Sequence, residues 1–301
     1  MAKPGLSIVV SGGAHSGQDL RLLLDVARAV EAAGIDGIRV AEHSAMGADT
    51  SRYVWGPYPL APDAPWLEPV AQIAAMAAVT ERVVFHTGVL IAALRPAVVL
   101  AKQVATLDIL SCGRFILGVG TGWQPEELEA GGVPYAERGT RMTETIAACR
   151  VLWRDSPASF AGQFVRFSDL YCEPRPTSPG GVPVWFAGPL NDRQLKRIVE
   201  LGDGWMPIMG STGESIAADT ERLRQAFAGA GRDPDSLAVS DFARVVRDAG
   251  GRALLGETIE AARAQSEHGV TMVALSLAAF SKELTEYPQL VSEVARLWEH
   301  L

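Results

Sequence analysis

A glutamate and a histidine stand side by side at the end of an apolar run, in Arg39-Val-Ala-Glu-His43. An imidazole with an ordinary pKa of about 6.5 can give or take a proton at neutral pH, so Glu42 and His43 are candidate acid-base groups. The same pair could equally anchor the loop that follows. A second candidate set is Leu117-Gly-Val-Gly-Thr-Gly-Trp123, where glycines at every second position lead into a large aromatic. Backbone N–H groups of Gly120, Thr121 and Gly122 beside the face of Trp123 suit a planar ring with hydrogen-bonding edges. An irregular surface loop closed by a core tryptophan would read the same way. Glu126 and Glu127 follow, and fit the first turn of a helix as readily as they fit acid chemistry.

Two further segments carry glycines where a ligand can approach. Phe85-His-Thr-Gly-Val89 places Gly88 inside a strand-like run, the mark of a bulge, of a close backbone approach or of tight packing. His86 in that run reads as a structural histidine. Trp185-Phe-Ala-Gly-Pro-Leu-Asn-Asp192 turns at Gly188 directly before a helix, so free N–H groups there can receive an anion such as a phosphate. Ordinary capping by Asn191 or Asp192 accounts for the same residues, and Arg193 and Lys196 either assist the anion or form a solvated face. Ser11-Gly-Gly-Ala-His-Ser-Gly17 is glycine-rich, but its spacing is not that of a dinucleotide fingerprint and a turn explains it.

Several chemistries find no support. There is no Gly-x-Ser-x-Gly elbow and no His-Glu-x-x-His pair, and the 5 histidines have no metal-ligand spacing. No metal site is expected. The 3 cysteines (Cys112, Cys149 and Cys172) are too few and too scattered for a disulfide framework, which points to a reducing cytoplasm. A net charge of -8 without a basic run excludes a nucleic-acid or anionic-membrane footprint and favours a small-molecule substrate. No apolar stretch approaches the ~20 residues that a membrane span needs, and the first ten residues do not form a signal segment.

The elements that must position these residues alternate short Val/Ile-rich runs with segments of helical period, the pattern of βα units and a parallel sheet. Strands are expected at 6–11, 37–41, 83–89, 114–119, 184–187, 204–208, 237–240 and 272–277, with helices between them. Phe160-Ala-Gly-Gln-Phe-Val-Arg-Phe167 alternates at period 2 around a glycine and reads as a small hairpin inserted after the helix 138–153. Residues 121–137 read as irregular, and the aromatic, proline-rich loop from Tyr53 to Trp66 can lid a pocket or offer a contact surface. No linker divides the chain, so the expectation is one (β/α)8 TIM barrel domain over 1–301, with its site at the C-terminal ends of the strands. A doubly wound sheet is the alternative, but its fingerprint is missing.

Taken together, these segments resemble the bacterial luciferase-like monooxygenase family, in particular its branch that uses the deazaflavin coenzyme F420. The similarity covers nearly the whole chain and rests on Ala33-Gly-Ile-Asp-Gly-Ile-Arg-Val-Ala-Glu-His43, Thr87-Gly-Val89, Arg95-Pro-Ala, the block from Ala101 to Trp123, and Leu201-Gly-Asp-Gly-Trp205. The resemblance implies a cofactor ring over Thr87, Gly88 and Val89, with a non-prolyl cis peptide at Gly88-Val89. It also implies that His43 acts near the reacting carbon. Where some related enzymes carry a glutamate directly after the Gly-x-Gly motif, this chain has Trp123, which leaves Glu127 as the substitute acid. A phosphate tail is implied near Ala187 and Gly188, helped by Arg193 or Lys196. Hydride transfer with coenzyme F420 is the favoured expectation. FMN-dependent monooxygenation with a separate flavin reductase is the alternative, and a non-catalytic cofactor-binding barrel a third. A homodimer is expected from the family.

Overall fold

The computed structural model describes residues 3–178 and 180–300. Strands β1 (Gly5–Val9), β2 (Gly37–Val40), β3 (Val84–Thr87), β4 (Leu90–Ile91) and β5 (Phe115–Gly120) form the first half of one parallel sheet. Strands β6 (Ala158–Ala161) and β7 (Arg166–Leu170) pair only with each other, as the antiparallel hairpin that the alternation at 160–167 predicts. Strands β8 (Val184–Ala187), β9 (Gly204–Met206), β10 (Ala238–Phe242) and β11 (Met272–Ser276) complete the sheet in the order β3-β2-β1-β11-β10-β9-β8-β5. β5 also pairs with β3, so the sheet closes on itself as a TIM barrel.

Around it lie α1 (Leu23–Ala32), α2 (Pro69–Ala77), α3 (Ala97–Leu110), α4 (Pro125–Ala130), α5 (Arg138–Arg154), α6 (Asp192–Leu201), α7 (Gly213–Gly229), α8 (Leu255–Ala264) and α9 (Tyr287–His300). Their starts are chemically marked. The Glu68 carboxylate accepts from Ala71 N at 2.7 Å ahead of Pro69, and Asn191 accepts from Gln194 N at 2.9 Å.

Register explains why the barrel can hold a polar site. Side chains of parallel neighbours in register point to the same face, so the pairings Val9↔Arg39, Arg39↔His86 and Val9↔Ser276 put these four residues on the inner wall. Their chain neighbours Ile8, Ile38, Phe85 and Leu275 turn outward beneath the helices and are fully buried. Each contributes about 1.5–3 kcal/mol relative to exposure. The apolar core thus lies mainly between sheet and helices, and in the interior polar side chains stand beside apolar ones such as Val9, Trp185 and Phe242.

The structure departs from the sequence expectation in two places, both at the site. The third strand is not continuous, because β3 stops at Thr87 and β4 resumes at Leu90 on either side of a cis Gly88-Val89 peptide. The irregular stretch after β5 contains α4, which Pro125 starts and Glu126 and Glu127 favour in its first turn.

Candidate active site

The mouth at the C-terminal ends of the strands opens into a cavity of about 630 Å³. Its wall brings together His43 from the end of β2, Gly88 and Val89 from the break in the third strand, Gly120 and Trp123 from the end of β5, and Gly188 after β8.

His43 is fixed from behind. Its Nδ1 lies 3.0 Å from Glu127 Oε2, and the Glu127 side chain is only 1% exposed. A carboxylate oxygen can only accept, so Nδ1 carries the hydrogen and Nε2 is left toward the cavity. The other oxygen of Glu127 accepts from Ser44 N at 2.6 Å and more weakly from Ala45 N at 3.4 Å, which ties α4 to the loop after β2. Aromatic rings surround the imidazole edge-on: Trp66 at 5.0 Å, Trp123 at 5.9 Å and Tyr58 at 6.3 Å between centroids. Burial pushes the Tyr58 hydroxyl up to about 12, so it remains protonated at neutral pH.

Glu42, adjacent in sequence, has a different position. One of its oxygens accepts from Arg95 Nη2 at 2.7 Å and Ser44 Oγ at 3.1 Å, and the other from Ile91 N at 2.6 Å. With both oxygens engaged and the side chain fully buried, its geometry is that of a pin between β2 and β4.

The glycines follow from close approach. A Cβ on Gly120 would meet Val89 Cγ2 at 2.6 Å, and one on Gly88 would collide with the Arg39 guanidinium. Thr87 donates from Oγ1 to Gly118 O at 2.7 Å and is buried, so it braces the break in the strand without facing the cavity. Thr121 and Gly122 line the rim before Trp123, which packs against Tyr53 at 5.3 Å and Tyr58 at 5.4 Å. The loop of Tyr53 and Tyr58 is held by Gln124, which accepts from Gly47 N at 2.8 Å and donates to Gly47 O at 3.0 Å. Gly13 lies against the Trp66 ring, so the glycines of the Ser11–Gly17 segment let the lid close on the β1 loop.

At the fourth wall, Gly188 adopts φ +133 and Ala187 O accepts from Gln194 Nε2 at 3.1 Å, just ahead of the capped start of α6. Arg193 and Lys196 are exposed on α6 outside the cavity wall, and Lys196 faces Glu200 at 3.8 Å. His86 lies beneath the cavity with Nε2 3.1 Å from Ser7 Oγ, held neutral by burial. The residues that sequence reasoning passed over are Arg39, Arg95, Gln124 and Phe242. Arg39 carried a visible signal, a charge at an inward position of an otherwise apolar strand; the others gain their roles only through distant partners. Among the described residues, no group of His, Cys, Asp and Glu is placed to hold a metal, and no helix is long and apolar enough to cross a membrane.

A closed parallel α/β barrel with a glycine-lined, aromatic-lidded cavity and a carboxylate-held histidine defines a class of small-molecule enzymes. Residues 6–297 match the model of the luciferase-like monooxygenase family, and the chain belongs to that family of oxidoreductases. An uncharacterized protein of Mycobacterium tuberculosis is 36% identical over 169 residues, which are 56% of this chain and 58% of that protein. The F420-dependent glucose-6-phosphate dehydrogenase of Nocardia farcinica is 33% identical over 231 residues, covering 72% of this chain and 62% of that enzyme. The crystal structure of monooxygenase RslO1 from Streptomyces bottropensis superposes with a TM-score of 0.78 at 20% identity, over 97% of this chain and 98% of the other.

Proposed function

We propose that the protein transfers hydride between coenzyme F420 and a small organic substrate, with His43 as the proton donor and acceptor. The observation that carries this reading is the His43–Glu127 pair at 3.0 Å on the wall of the cavity, beside the glycine-permitted break at Gly88-Val89. The residues fit such a cofactor. Gly88, Val89, Gly120, Thr121, Gly122 and Trp123 offer a flat surface with backbone groups, and Ala187-Gly188 before α6 suits a phosphate. When bound, the deazaflavin supplies the hydride chemistry.

The protein's own work is orientation and proton transfer. Glu127 holds the His43 ring with Nδ1–H turned to its carboxylate, and Nε2, when it carries a proton, passes it to the substrate oxygen as hydride reaches the carbon, or takes it back in reverse. Tyr53, Tyr58, Trp66 and Trp123 exclude water from the site. The F420-dependent relative supports the choice of cofactor. Likeness to a monooxygenase supports a second reading, FMN-dependent oxygenation served by a separate reductase.

His43→Ala tests the role. Loss of about 10²–10⁴-fold in turnover of reduced coenzyme F420 with a panel of carbonyl acceptors, with cofactor affinity kept, is the expected outcome. Retained turnover contradicts it.

A further inference from the structure

The inner wall of the barrel contains a cation that forms no ion pair among the described residues. Arg39 is 4% exposed and lines the cavity beneath the break at Gly88. Among the described residues, only its Nε–H finds an acceptor, in a long hydrogen bond of 3.4 Å to Gly88 O, and the buried Nη1 has no partner. The guanidinium stacks on Phe242 with Cζ 4.0 Å from the ring centroid, which fixes its plane.

The titratable groups around it do not neutralise it. Asp241 on β10 exerts a favourable field, but its carboxylate accepts from Gln265 Nε2 at 2.9 Å and burial raises its own pKa. His86 on β3 is neutral, by burial and by the nearness of Arg39 itself. Burial lowers the Arg39 guanidinium to about 10, so it is still charged at neutral pH. A buried charge without hydrogen-bonded compensation is costly, and an anionic partner in the same cavity offsets that cost.

We propose that Arg39 is the counter-charge for the ionised ring of the bound cofactor, donating from its guanidinium to an acceptor atom of the conjugated ring. This rests on the cofactor reading above. Both rings have an ionisable form. The ring hydroxyl of oxidised F420 ionises into a conjugated anion, and reduced FMN loses a proton from its pyrimidine half. A fixed cation at the cavity floor favours either anion and thereby sets the ring's electronics.

The test is a spectroscopic pH titration of coenzyme F420 bound to the protein, with reduced FMN under exclusion of oxygen as the second arm. The bound ring should ionise about one pH unit or more below the free ring, at least tenfold in acid constant. Arg39→Met should abolish most of that shift, and Arg39→Lys should keep part of it. A wild-type complex that ionises like the free ring, or an Arg39→Met complex that ionises like wild type, overturns the assignment. Should Arg39→Met fail to fold, the wild-type comparison and Arg39→Lys still decide. Binding of neither cofactor refutes the cofactor reading and this assignment with it, whereas binding with an unshifted ring refutes this assignment alone.

Discussion

Glu127 Oε2 stands 3.0 Å from Nδ1 of His43 although 84 residues separate the two in the chain. The contact exists because α4 starts at Pro125, directly after the rim of β5, and turns its first acidic residues back toward the loop after β2. In Glu127→Gln the amide can still accept from Ser44 N, but an NH2 group facing Nδ1 favours the other tautomer of His43. Turnover should fall by about 10²-fold or more while cofactor affinity changes little. Steady-state kinetics beside a binding titration checks this. Unchanged turnover would mean that Glu127 only tethers the loop.

The break in the third strand depends on Gly120. In Gly120→Ala the new methyl group would lie 2.6 Å from Val89 Cγ2, so Val89 must shift and the cavity wall with it. Overpacking of this kind costs about 1–3 kcal/mol. Denaturant unfolding should show that loss together with weaker cofactor binding. Adding Val89→Ala should restore part of both, because the clash is removed at its other partner. Purely additive effects of the two substitutions would argue against the contact.

His86 makes stability depend on pH. Its folded-state pKa lies well below the unfolded value of about 6.5, so between those two values the unfolded chain binds more protons than the native one. The contribution is present above about pH 6.5 and is lost as pH falls toward the folded pKa, by at most about 1.4 kcal/mol per pH unit. His15, whose pKa burial also lowers, acts in the same direction. Urea midpoints should therefore drop between about pH 7 and pH 5, and His86→Gln should flatten the slope. An equally steep slope in the variant would assign the effect to other groups.

Much of the architecture was legible in sequence because each strand and helix obeys a local rule. The apolar spacing of Leu20, Leu23, Leu24, Ala27 and Val30 and the Gly34 stop mark α1 without reference to anything else, although the helix itself starts at Leu23 and buries Val26 more fully than Leu24. The cis peptide at Gly88-Val89 came from resemblance, since no local pattern distinguishes a bulge glycine from a packing glycine. Glu42, as the neighbour of His43, and Glu127, as the substitute acid that the resemblance implies, were both candidate acids in the sequence. Only the three-dimensional contacts separate them, with Arg95 and Ile91 N occupying Glu42, and His43 taken by Glu127. Arg193 drew attention by lying after Gly188, yet a helix carries that side chain to an exposed position outside the cavity wall. Sequence spacing shows proximity along a helix, not which face meets the cavity.

The cofactor claim is tested most directly by titrating the purified protein with coenzyme F420 and, separately, with FMN. Fluorescence of its 7 tryptophans would be followed, three of which, Trp55, Trp66 and Trp123, line the cavity. Quenching that saturates at micromolar coenzyme F420, with FMN bound more weakly, is the expected result. Preference for FMN would contradict the hydride-transfer reading in favour of an oxygen-dependent enzyme, and saturation by neither would contradict both.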